Sequence, residues 1–322
     1  MTTTLGRDLT VRPPTEADIP RIRALIAASD IALTGEADPW SDEDIRGDWI
    51  GMDLERDAWI IEAAGGEVVG YATLFTHGRD ADTERFESDG YVHPAHSGQG
   101  IGTELLRLLE ERSLELSEDV PEGTRVVLQG GTHAHDTAAR RLFESRGFTP
   151  VRYFWRMRID MTEAPPAPVW PEGIAMHACI RGQDERAIFD ALEEAFLDHW
   201  GHAPHEYDEW LEHNVKVESF DPSLWFLALD GAEPAGALRG RVMADGSGWI
   251  NTLGVRRPWR RRGLGMALLL HSFGVFYRRG ITSVALGVDA QNPTGATHLY
   301  EAAGMRVVRE FVVHEKELRA GA

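Results

Sequence analysis

Two long stretches of this chain follow one plan in one order, and that duplication limits its possible folds more than any other feature. Gly100 to Gly263 and Gly102 to Gly265 are each 163 residues apart, while Phe143 to Tyr300 and Gly147 to Gly304 are each 157 apart. A sustained offset of this kind outranks single-residue readings. The first copy predicts a strand over 9–13, a helix from residue 15 and a hairpin over 59–75 about Gly65-Gly66. A strand over 86–92 follows, then a glycine-bearing turn, a long helix, a short buried strand, a helix ended by Gly147 and closing strand material over 148–159. The second copy restarts this order at 174 and ends with a closing strand over 305–313. The expected class is α/β, an α+β arrangement on a mixed sheet, with domains over 1–161 and 173–322. Pro165, Pro166, Pro168 and Pro171 keep 162–172 out of helix and central sheet, so that segment reads as a linker.

Within the second copy, Trp249 to Val255 is apolar and extended, and Arg260-Arg261-Arg262-Gly263-Leu264-Gly265 separates it from a helix. The free N–H groups that begin such a helix point into the turn and carry about half a positive charge. Glycines let a ligand approach, and arginines add forked donors suited to phosphate. The stretch therefore reads as a phosphate or pyrophosphate cradle. Ser97-Gly98-Gln99-Gly100-Ile101-Gly102 is its counterpart, without the arginines.

Composition narrows the function classes. A formal charge of −19 argues against a nucleic-acid partner. The longest apolar runs fall short of the roughly 20 residues needed to span a bilayer. The expectation is a cytoplasmic protein with neither a nucleic-acid nor a membrane partner. One cysteine, Cys179, excludes an internal disulfide and a Cys-rich zinc site, and its apolar surroundings predict a buried structural thiol.

With these elements in order, the repeated unit resembles the GNAT superfamily of N-acetyltransferases, in the tandem form of the mycothiol synthase group. The family's Gln/Arg-x-x-Gly-x-Gly/Ala turn is met by Arg260, Gly263 and Gly265. Its second signature is met by Asn292, Leu299-Tyr300 and Gly304. The resemblance implies acetyl-CoA, or another acyl-CoA, as co-substrate with no metal, and the primary amine of a small molecule as acceptor. It implies that Leu253, Gly254 and Val255 line the pantetheine. Arg260, Arg261, Arg262, Gly263, Leu264 and Gly265 would hold the pyrophosphate, Asn292 would touch the cofactor's middle, and Tyr300 would protonate the departing thiolate. In the first copy the corresponding binding residues are Val92, Ser97, Gly98, Gln99, Gly100, Ile101 and Gly102. There His135 stands for the asparagine and Phe143 for the tyrosine. A phenylalanine cannot donate a proton, so the first copy is expected to be structural or to bind acyl-CoA without turnover.

The stretch from Asp198 through His199 to His202 would lie on the acceptor side of such a fold, where it either serves the acceptor or is a solvated loop. Its histidines are not expected to hold metal, because Gly201 and Pro204 interrupt a helix between them. No general base can be named: Gly248, Trp249 and Ile250 offer none of the acidity that mycothiol synthesis calls for early in that strand. The rival readings are a non-catalytic acyl-CoA binding or sensing protein and an enzyme that acetylates a protein terminus. A Rossmann or P-loop nucleotide enzyme is disfavoured by the absence of Gly-Lys-Ser/Thr after the turn and of a ribose-binding acid at the right distance.

Overall fold

In the computed structural model, the described residues are 8–80, 82–197, 199–200, 204–292 and 295–322, with backbone alone at 77–80. They form two compact units, residues 1–153 with 311–322, and residues 154–310.

The first unit contains β1 (Leu9–Arg12), α1 (Ile19–Thr34), α2 (Asp42–Asp48), α3 (Leu54–Asp57), β2 (Ala58–Ala63) and β3 (Val68–Asp80). It continues through β4 (Thr83–Val92), α4 (Ile101–Ser117), β5 (Arg125–His133) and α5 (Thr137–Ser145) into β6 (Thr149–Asp160). The second unit contains β7 (Ile174–Ala178), α6 (Glu185–Phe196), α7 (Tyr207–Asn214), β8 (Trp225–Asp230), β9 (Glu233–Val242) and β10 (Gly248–Val255). Then come α8 (Leu264–Arg278), β11 (Ser283–Asp289), α9 (Ala296–Ala302) and β12 (Arg306–Arg319). No helix among the described residues is long and apolar enough to cross a membrane.

The first unit's sheet runs β1-β2-β3-β4-β5-β12, antiparallel except for the β4–β5 pair. The second runs β7-β8-β9-β10-β11-β6, antiparallel except for the β10–β11 pair. Both are mixed sheets of an α/β fold. The closing strand of each sheet is supplied by the other sequence copy. Phe311 to Arg319 pair with His133 to Val126, and Phe154 to Asp160 pair with Asp289 to Ser283. The chain passes from one unit to the other after Tyr153 and after Glu310, a separation of 157 residues that matches the repeat. The unit boundary thus falls within β6, and the proline-rich 162–172 segment lies wholly inside the second unit.

Helical apolar spacing explains the layers. Ile22, Leu25 and Ile26 of α1 pack with Trp49 and Tyr71, while Leu105 and Leu109 of α4 pack with Phe86, Leu128 and Phe143. In the second unit Ile188 and Leu192 of α6 and Phe273 and Phe276 of α8 join one core. Cys179 is buried there, and burial pushes its thiol up to about 12.

Candidate active site

The second unit's site begins where two parallel strands part. Gly248, Trp249 and Ile250 of β10 pair with Val284, Ala285 and Leu286 of β11, and the pairing stops there. Beyond it β10 continues alongside β9 alone, from Thr252↔Arg239 to Val255↔Gly236. A register shift between Ile250 and Thr252 makes a β-bulge at the point of parting. The backbone of Leu253, Gly254 and Val255 therefore borders a slot on its β11 side. Bulges re-aim strands beside active sites. Strand alternation in the sequence carries no signal of this one. In the first unit β4 also leaves β5 after Ser88↔Gly130, yet β3 and β4 pair unbroken from Gly70↔Val92 to Thr76↔Phe86.

Gly254 allows close packing here. An added Cβ would lie 2.8 Å from Leu192 and 2.9 Å from Ala195, so its absence lets α6 press onto β10. At the slot's end, the first helical bond of α8 runs from Ala267 N–H to Gly263 O at 3.0 Å. The N–H groups just before it, at Leu264, Gly265 and Met266, thus have no acceptor within the helix. Gly263 caps the helix in the left-handed region, at φ 88°. Gly265 serves helix packing instead, since its Cβ would meet Leu299 of α9 at 3.3 Å.

The turn is held rigidly. Arg260 donates through Nε to Val255 O at 3.0 Å and through Nη2 to Ala195 O at 2.9 Å, so its guanidinium ties the turn to the strand and to α6. Trp259 Nε1 donates to Asp230 at 2.9 Å, and Arg256 pairs with Glu194 and Glu233. Arg262 donates weakly to Glu172 O at 3.3 Å. Arg261 is exposed and has no partner among the described residues. It is also the one non-glycine described with positive φ, at 61°. That conformation costs a side-chain-bearing residue roughly 1–2 kcal/mol. Arg261→Gly should hold or raise stability by up to about 1 kcal/mol while raising KM for acetyl-CoA several-fold. Melting curves and steady-state kinetics check both; a loss of stability with unchanged KM would remove the phosphate role.

The first unit's turn has the same backbone. Ser97 (φ −61°) matches Arg260 (φ −63°), Gly98 takes φ 78° where Arg261 stands, and Gly100 caps α4 at φ 85°. Gly102 packs under Leu142 as Gly265 does under Leu299. The side chains differ: Ser97, Gly98 and Gln99 are exposed and uncharged, Ile101 is buried, and Val92 is half-buried. His93 and His96 face Glu67 where Arg256 faces Glu233 in the second unit. These three have metal-ligand spacing. His93 Nδ1, however, accepts from Ala95 N–H at 3.3 Å, which puts the ring proton on Nε2 facing Glu67, where it blocks metal ligation through that nitrogen.

Tyr300 lies on α9, buried, and desolvation pushes its phenol up to about 12. Asn292 precedes that helix, with its carbonyl accepting from Gly295 N–H at 3.4 Å. In the first unit Phe143 fills the corresponding helical position. Its ring stacks on His314 at 5.0 Å and occupies the space a Cβ on Gly130 would take, 2.7 Å away. His314 is fully buried and shares a 3.1 Å hydrogen bond with Thr132 Oγ1. His135, opposite Asn292, is exposed. On the acceptor side, Asp198 and His202 fall outside the described residues. His199 packs on Phe196 at 4.1 Å, just beyond α6.

This pair of units meets known proteins throughout. The profile described as the acetyltransferase (GNAT) family matches residues 22–148 and 186–305. The chain belongs to the GNAT acetyltransferase family. It is accordingly an N-acetyltransferase of that type, built on two such domains, and acetyl-CoA is the family's donor. A mycothiol acetyltransferase of Thermobispora bispora is 34% identical over 66% of this chain and 70% of its own. One from Streptomyces scabiei is 32% identical over 80% of this chain and 78% of its own. Among solved structures, a GCN5-related N-acetyltransferase from Sphaerobacter thermophilus is 41% identical, with TM-score 0.83 over 99% of this chain and 98% of that one. A tandem GNAT protein of the clavulanic acid pathway shares the fold at TM-score 0.70 and 18% identity, over 98% of this chain and all of its own.

Proposed function

We propose that the second unit of this GNAT protein moves the acetyl group of acetyl-CoA onto the primary amine of a small molecule, and that the first unit performs no turnover. The carrying observation is that, among the described residues, the bulged, parted strand, the rigid N–H cradle and a buried phenol occur together only in the second unit. The pyrophosphate would lie on the N–H groups from Leu264 onward, beside Arg261 and Arg262, with pantetheine along Leu253 to Val255 and against Asn292. The amine's lone pair attacks the thioester carbonyl carbon, and the carbon–sulfur bond of the resulting tetrahedral species then breaks. Tyr300 O–H gives its proton to the departing thiolate and regains one from water, to which the amine's surplus proton is released. Its dry surroundings keep the phenol protonated, and they raise the thiolate's proton affinity too.

The relatives' name suggests mycothiol assembly. Against that acceptor, Trp249 stands where an acid is called for and has the Arg156 guanidinium 5.2 Å from its ring. A different small amine fits these residues better. Acetyl-CoA consumption over a panel of amines tests the reading, with titration of coenzyme A alongside. Thiol release with at least one amine supports it, and none with any amine removes it. Two binding sites per chain would mean that the Ser97 turn still holds the donor.

A further inference from the structure

Arg239 of β9 is a deep guanidinium without a carboxylate partner among the described residues. It donates through Nη2 to Thr252 Oγ1 at 2.8 Å and through Nη1 to Asn214 Oδ1, both neutral, and Nε is buried with no acceptor. Trp210 and Trp225 flank it at 5.2 and 5.1 Å. The acid that influences it, Glu193, is bound to His205 at 2.8 Å. Desolvation pushes the guanidinium down to about 10. Aromatic faces and neutral acceptors offset part of the cost of such a charge; an anion would offset far more.

Its location ties this charge to the reaction. Thr252 follows the bulge and directly precedes Leu253. Gly254, two residues on, presents to Leu192 and Ala195 of α6, so alternation turns Thr252 to that same face. Gly240, next to Arg239, presents to Phe276 of α8 on the opposite face. Arg239 therefore points away from the helix that forms the cradle, toward α7. The fold itself does not require the arginine: the register pair at the first unit's parting strand is Thr73↔Asp89, against Arg239↔Thr252 here.

We infer that the acceptor amine also carries a carboxylate, as an amino acid does, and that Arg239 holds that carboxylate on the α7 side of β10 while the donor lies on the α8 side. Nε and its neighbouring edge can take a carboxylate oxygen while Thr252 and Asn214 keep the guanidinium plane in place. This rests on the amine-acetylation reading, so the test uses binding and needs no turnover. With coenzyme A present, N-acetyl-L-alanine, N-acetyl-L-glutamate and N-acetylglycine are compared by calorimetry with their carboxamides. The native protein should bind at least one carboxylate about tenfold or more tightly than its amide. Arg239→Gln should bring the pair within about twofold, and Arg239→Lys should keep part of the preference. Melting curves identify a variant that has lost its fold, in which case the Lys variant and the native comparison decide. Equal binding of acid and amide by the native protein, no binding of any acid, or an undiminished preference in Arg239→Gln would each overturn the inference. A protein that acetylates no amine yet shows the Arg239-dependent preference would sink the proposed reaction and leave the carboxylate site standing.

Discussion

Replacing Tyr300 by phenylalanine is expected to lower kcat about a hundredfold and to leave KM for acetyl-CoA within about twofold, the pattern for losing a proton donor that acts only as the thiolate leaves. The hydroxyl has no hydrogen-bond partner among the described residues, so its removal should leave the melting temperature almost unchanged. The pH profile supplies an independent check. A phenol pushed up to about 12 by burial keeps its proton through pH 10. The native enzyme should therefore show no alkaline fall in kcat with a midpoint near 10, the ordinary tyrosine value. Unchanged turnover in the variant would place the proton donor elsewhere. The reverse change, Phe143→Tyr, should not raise activity, because Phe143 packs into the Gly130 and His314 surroundings in an unbulged unit.

The second large effect concerns folding. Ending the chain at Glu310 removes the strand that closes the first unit's sheet, although the lost residues belong to the second sequence copy. β5 would lose its antiparallel partner along Val126 to His133, and the buried Val312 and His314 would go with it. The Glu315 and Glu317 pairs with Arg125, and the Lys316 pair with Glu110, would also be lost. Together these losses should exceed about 5 kcal/mol, comparable to the whole stability of many domains. The truncated protein should expose residues 1–153 to protease, and a synthetic peptide of residues 306–322 should restore protection. A truncated protein as resistant as the native one would show that β12 adds little to the first unit.

Much of the fold was legible because each device is local. Gly263 and Gly100 mark helix starts that need a left-handed cap, and the offset between Gly147 and Gly304 exposes the repeat. The exchange of closing strands was not legible. Residues 149–160 and 306–319 are extended and alternate alike, and alternation says which side of a strand is buried without saying which sheet receives it. The bulge at Asn251 inserts one residue with no composition of its own. Arg260, expected as a phosphate ligand from its place in the turn, has a guanidinium bonded to Val255 O and Ala195 O, and only the tertiary position of α6 reveals this. Arg239 is silent in the sequence for a related reason: an arginine in a strand looks like an exposed one until Trp210 and Trp225 close around it.

The matched crossings after Tyr153 and Glu310 bear on the history of the gene as well as on the fold. If the first copy performs no turnover, as proposed, it has no catalytic claim to retention, yet its descendants cannot shed it cleanly. Excising residues 1–161 would take away the strand over 154–160 that its active sibling needs, and the 311–319 strand would be left with no sheet to complete. On that reading, selection on the second copy alone would preserve the first. In this lineage, divergence of the first turn and its histidines is the expected outcome, and deletion is not.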